Sequence, residues 1–115
     1  MMNHVTIQCA DLNASIKFYE EVVGLKIMGD LRGKNPKDIV FMAKNEGETT
    51  VELIDSPEAP FKGEGISIGF ACDDVEGYRE KLAADGLNPT PIIQPNPHVK
   101  FFFVKDPDGM NVQFI

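Results

Sequence analysis

The stretch NHVTIQCADL, residues 3–12, returns in altered form as ISIGFACDDV, residues 66–75. Val5-Thr6-Ile7-Gln8-Cys9 lies over Ile68-Gly69-Phe70-Ala71-Cys72, so the apolar positions and both cysteines coincide. His4 leads the first copy, and Ser67 holds the matching position in the second. A repeat at this spacing governs the architecture, because one supersecondary unit written twice folds twice.

The match continues downstream. DLNASIKFYEEVVGLK carries apolar residues at Ile16, Tyr19 and Val23 and stops at Gly24, while DVEGYREKLAADGLN carries Val75, Tyr78 and Leu82 and stops at Gly86. Each predicts an amphipathic helix entered through an Asp/Asn N-cap and closed by a glycine. TVELI (50–54) lies over NVQFI (111–115), setting Glu52 against Gln113. Two further strands are expected in each half, at Leu25–Leu31 and Asp38–Ala43, then at Thr90–Gln94 and Val99–Lys105. KNPKD (34–38), AKNEGE (43–48), QPNP (94–97) and DPDG (106–109) supply the turns between them.

The expectation is an α+β chain of two βαβββ modules, 1–54 and 66–115, joined by the Pro/Gly-rich linker 55–65. Their sheets form a half-barrel around a cleft, with the helices outside. The whole is one domain of 115 residues. Half that length would bury too little apolar surface to be stable alone.

Composition narrows the function. Apolar content of 43% and charged content of 25% are those of a soluble globular protein. No run approaches the ~18 apolar residues of a membrane span, and MMNHVTIQ lacks the build of a signal peptide. A cytoplasmic protein is expected, with Cys9 and Cys72 as buried reduced thiols. A net charge of −7 repels phosphate backbones and anionic membranes alike, so neither nucleic acid nor membrane is an expected partner.

Strand alternation sorts the side chains. Val5, Ile7, Cys9, Val51, Leu53, Ile68, Phe70, Cys72, Val112 and Phe114 face the helices. His4, Thr6, Gln8, Glu52, Ser67, Gly69, Asn111 and Gln113 face the other way. Four equivalent polar positions are thus expected to converge on the cleft: His4, Glu52, Ser67 and Gln113. In FFFV (101–104), Phe101 and Phe103 share one face and Phe102 and Val104 the other, and one of these pairs lines an apolar pocket. His98 and Lys100, in PNPHVK, belong either to the cleft mouth or to a solvated surface, and Arg32 and Lys34 carry the same two readings.

DLNASIKFYEEVVGL (11–25), FACDDV (70–75) and FVKDPDGMNVQFI (103–115) together resemble the vicinal oxygen chelate superfamily, which holds glyoxalase I, bleomycin-resistance proteins and extradiol dioxygenases. In its metal-using members, four strand positions ligate a divalent cation that holds two neighbouring substrate oxygens. The usual set is His and Glu in each half. The resemblance implies one ion (Zn²⁺, Ni²⁺, Mn²⁺ or Fe²⁺) on His4, Glu52 and Gln113, with Thr6, Ser67, His98, Lys100, Phe101 and Phe103 around the ligand.

Ser67 and Gln113 depart from that set. A serine hydroxyl is a poor ligand, and an amide is no general base at neutral pH. Glyoxalase I activity itself is therefore not expected, nor is the dioxygenase pattern of two histidines and a carboxylate. Two functions stay open. One is metal-assisted lyase or isomerase chemistry on a small oxygenated metabolite at a degenerate site. The other is metal-free sequestration of a small molecule, as in bleomycin-resistance proteins. The resemblance also implies a homodimer.

Overall fold

β1 (His4–Cys9) and β4 (Thr50–Asp55) run parallel, opposing Thr6 to Glu52 and Ile7 to Leu53. This pairing anchors the first repeat in a computed structural model that describes residues 1–115. β2 (Lys26–Asp30) and β3 (Ile39–Ala43) complete an antiparallel continuation, giving the strand order β1-β4-β3-β2. The second repeat has the same plan: β5 (Ser67–Phe70), β6 (Ile93–Asn96), β7 (Val99–Lys105) and β8 (Asn111–Phe114), in the order β5-β8-β7-β6. β5 and β8 are the parallel pair. The chain is α+β, with one helix per four-stranded sheet, and it divides into two compact units between Lys62 and Gly63. None of its helices is long and apolar enough to cross a membrane.

α1 (Leu12–Phe18) begins where the Asp11 side chain accepts the Ala14 N–H at 3.2 Å. A π-turn, Tyr19–Val23, follows and ends at Gly24, whose φ of +86° suits a residue without a Cβ. There the Tyr19 carbonyl accepts N–H groups from both Gly24 and Leu25. The buried apolar side chains are Leu12, Ile16, Phe18, Tyr19 and Val22, with Ser15 buried among them. An uninterrupted 3.6-residue period had predicted Val23 in place of Val22. The widened turn breaks that period, and Val23 is left half-buried.

α1 packs on β4, enclosing Ile7, Cys9, Val40, Met42, Val51 and Leu53. α2 (Val75–Ala84) starts at Asp74, which accepts the Gly77 N–H at 3.0 Å, and packs on β7. Beneath it Phe114 stacks on Phe102 at 5.4 Å and meets the Tyr78 ring edge-on at 5.1 Å. Phe102 and Val104 are therefore the inward pair of FFFV, and Phe101 and Phe103 occupy the opposite face.

The largest departures from the expected bounds are in the second repeat. β6 occupies 93–96 instead of 90–94, because Pro91 has no N–H to give to a ladder. Thr90 still bonds to β7: its N–H reaches the Phe103 carbonyl at 2.9 Å and its hydroxyl accepts the Phe103 N–H at 3.0 Å. Pro95 sits inside β6, tolerated because that strand is the sheet's edge. The turn expected at 94–97 accordingly falls at Pro97 and His98, where the Asn96 side chain accepts the His98 N–H. β5 ends at Phe70, so Cys72 lies past the strand and is half-buried, unlike the fully enclosed Cys9. DPDG turns as expected: Asp106 Oδ1 accepts the N–H groups of Asp108 and Met110, and Gly109 takes a φ of +86°.

Candidate functional site

Along β1 the exposed residues are His4, Thr6 and Gln8, the face away from the helix. The parallel register brings Glu52 of β4 opposite Thr6. Thr6 Oγ1 donates to Glu52 Oε1 at 2.5 Å, and that same oxygen lies 3.5 Å from His4 Nε2. On the other side of β4, Phe41 of β3 pairs with Glu52, and its ring meets the His4 ring edge-on at 5.9 Å. Gly29 of β2 gives Phe41 its room, since a Cβ there would stand 3.3 Å from that ring.

The His4 ring is oriented at its far side by Asn3, whose Oδ1 lies 2.8 Å from Nδ1. Nδ1 thus faces the Asn3 amide and Nε2 faces Glu52. Two ligands at about 2.1 Å from one ion, set at the tetrahedral angle, stand about 3.4 Å apart. The observed separation fits two corners of such a sphere. The pair alone is not a full site, and nowhere does the chain gather three His, Cys, Asp or Glu side chains able to hold an ion.

A cavity of about 270 Å³ shares Thr6 with this cluster and is otherwise lined by Ile7, Gln8, Ala59, Phe61 and Lys62. Its outer wall is the linker, whose Phe61 N–H reaches the Gln8 carbonyl at 2.8 Å along the free edge of β1. A second cavity, of about 400 Å³, lies at the other end of the same strand among Asp11, Arg32, Asp38 and Asp55. Arg32 is held there by Asp30, whose carboxyl the guanidinium pulls down to about 2.

In the second repeat, Gln113 of β8 stands opposite Gly69 of β5 and Phe103 of β7. The pattern of the first repeat thus recurs: a central polar side chain flanked by a first-strand residue and a third-strand phenylalanine. Phe101 meets Phe103 edge-on at 5.6 Å on this face. Ser67 leads β5 and is exposed. Lys100 belongs to the other face, in phase with Phe102, and its Nζ pairs with Glu76 of α2 at 2.5 Å. His98 occupies the exposed turn before β7. Neither Lys100 nor His98 therefore joins the Phe103–Gln113 group. Phe41 was absent from the residues singled out in the sequence, although aligning Phe41-Met42 with Phe103-Val104 would have revealed it.

The family model for the Glyoxalase/Bleomycin resistance protein/Dioxygenase superfamily matches residues 1–114. The chain belongs to this superfamily. It is 32% identical to the uncharacterized protein YwbC of Bacillus subtilis, over 98% of this chain and 94% of that one. It is 30% identical to a lactoylglutathione lyase of Haemophilus influenzae, over 97% of this chain and 89% of the relative. The fold resembles that of the trypanothione-dependent glyoxalase I of Leishmania major, with a TM-score of 0.81 and 25% identity, covering 100% of this chain and 85% of that one.

Proposed function

We propose that this chain is a glyoxalase-like protein that acts on a small oxygenated metabolite through metal-assisted lyase or isomerase chemistry. In this reading His4 and Glu52 are the first repeat's donors to a divalent ion (Zn²⁺, Ni²⁺, Mn²⁺ or Fe²⁺). The observation that carries it is the 3.5 Å approach of His4 Nε2 to Glu52 Oε1. The 30% identity to a lactoylglutathione lyase supports the lyase class of reaction, without its particular substrate.

A divalent ion, when bound, supplies Lewis-acid polarisation of substrate oxygens. The rest falls to the chain. His4, held by Asn3 and by the Phe41 edge, presents Nε2 in a fixed direction. Glu52 has one oxygen engaged by Thr6 and the other free, so Oε2 is the atom left to accept a proton. Gln113 moves none, because an amide is not a base at neutral pH. The reaction therefore differs from that of a glyoxalase I with a glutamate in the second repeat. Thr6, Gln8 and Phe61 border the cavity beside this pair and offer a small ligand both polar and aromatic surface.

Metal-free sequestration of a small molecule is the alternative, favoured by the weak donors Ser67 and Gln113 and by the lack of any three-ligand group. Elemental analysis of protein purified without chelator or affinity-tag nickel separates the two. About one ion per chain, lost in His4→Ala, supports the metal reading. Stoichiometry far below one after incubation with each cation overturns it and leaves sequestration. A cytoplasmic homodimer accompanies either reading, and light scattering giving a monomer of 12.7 kDa would refute the dimer.

A further inference from the structure

We infer that the cavity between β1 and the linker is a binding site for a small carboxylate, with Lys62 taking its anionic end and Phe61 its apolar body. The inference rests on the small-metabolite reading above, whose ligand it names by charge, and it holds for catalysis and sequestration alike. At roughly 30 Å³ for each water-sized group, a cavity of about 270 Å³ takes about nine non-hydrogen atoms. Its outer wall is fixed before a ligand arrives. The Ser56 N–H bonds to the Cys9 carbonyl and the Phe61 N–H to the Gln8 carbonyl, each at 2.8 Å, so adjacent residues of β1 tie down both ends of this span. Pro57 and Pro60 stiffen the chain between those ties. Phe61 and Lys62 therefore project from an anchored backbone, and such preorganisation lowers the entropy lost on binding.

Charge selects the ligand. Lys62 is the only charged residue of the lining. Arg32, Lys37, Lys81 and Lys100 are each engaged by a carboxylate of the chain, whereas Lys62 makes no ion pair or hydrogen bond within it. An ammonium left over beside a cavity, in a chain of net charge −7, suits a carboxylate brought by the ligand. Glu52 sets the orientation. Its carboxylate, bound by Thr6, repels a second negative charge on the Thr6 side of the cavity. The ligand's anionic group therefore goes to Lys62. Its neutral hydroxyl or carbonyl goes to Thr6 and Gln8, exposed on one face of β1, where the Gln8 amide both donates and accepts. Phe61, half-buried, is the apolar surface between.

The full-length chain, isotopically labelled and free of added metal, is titrated by amide NMR with two acid–amide pairs of matched shape. These are lactate with lactamide, and para-hydroxybenzoate with para-hydroxybenzamide. Shifts are expected to cluster at Thr6, Gln8, Phe61 and Lys62, with each acid bound about fivefold more tightly than its amide and the preference shrinking with added salt. Lys62→Gln should abolish the preference without changing amide affinity, and Lys62→Arg should keep it to within about twofold. Equal affinity for acid and amide, or a preference that survives Lys62→Gln, would overturn the inference and leave the small-metabolite reading standing. Shifts that cluster elsewhere, or none with any of the four probes, would overturn the site itself, while the ion count per chain tests the metal reading separately.

Discussion

Gln113 lies across Gly69. A Cβ placed on that glycine would stand 3.0 Å from the Gln113 Oε1, closer than side chains ordinarily approach. The obstructing atom is the far end of a flexible side chain, so the amide yields and the strand does not. Gly69→Ala is therefore expected to turn the Gln113 carboxamide away while raising stability by up to about 1 kcal/mol, because alanine loses less backbone entropy on folding. Shifted Gln113 side-chain amide resonances together with a urea midpoint at or above wild type would verify this. A lowered midpoint would show that the close approach is rigid.

The three consecutive phenylalanines of β7 divide by face. Phe102 is fully buried and stacks on Phe114, whereas Phe101 and Phe103 are half-buried on the other side. Truncating Phe102 to alanine should cost about 3–5 kcal/mol, the range for a core aromatic. Phe103→Ala should cost well under half as much. Chemical denaturation of the two variants reads the difference directly, and equal losses would contradict the face assignment.

Ser56 is fully enclosed, accepts from Lys37 Nζ at 2.8 Å and donates to Glu58 Oε1 at 3.1 Å. Lys37 and Glu58 also pair with each other, but their side chains are 45% and 60% exposed. An exposed ion pair contributes less than about 1 kcal/mol, whereas a buried hydroxyl with two partners contributes about 1 kcal/mol or more. Ser56→Ala should thus destabilise more than Lys37→Met. Thermal melts of both variants decide it.

Arg32 lowers the Asp30 carboxyl from its ordinary 3.8 to about 2, chiefly through side-chain hydrogen bonds. A carboxyl depressed on folding favours the native state above its unfolded value, and the contribution fades as pH falls from about 4 toward 2. The Asp30 side-chain carbon resonance should titrate near 2 in wild type and move back toward 3.8 in Arg32→Gln. Because the pair is solvent-exposed, stability at neutral pH should scarcely change.

Much of this was legible in the residues. Alternation within β1 and β4 put His4, Thr6 and Glu52 on one face, because a strand's side chains must point in turn to opposite sides. Asp11 and Gly24, Asp74 and Gly86 marked both helices through capping chemistry that is local to the chain. The repeat itself was visible because two copies of one unit need the same apolar spacing to cover the same sheet. What is local in sequence was readable from sequence.

Tertiary structure decided the remainder, wherever the outcome depended on a partner far along the chain. Alternation grouped Phe102 with Val104, but only the packing of α2 on β7 made theirs the buried face. Lys100 went to Glu76, twenty-four positions away, and so left the group around Gln113. The Thr6–Glu52 bond joins residues forty-six positions apart and exists only because the parallel register opposes them. Sequence period fixes which way a side chain points. Strand register and helix packing fix what it meets, because they are set by the free energy of the whole sheet and not by any one segment.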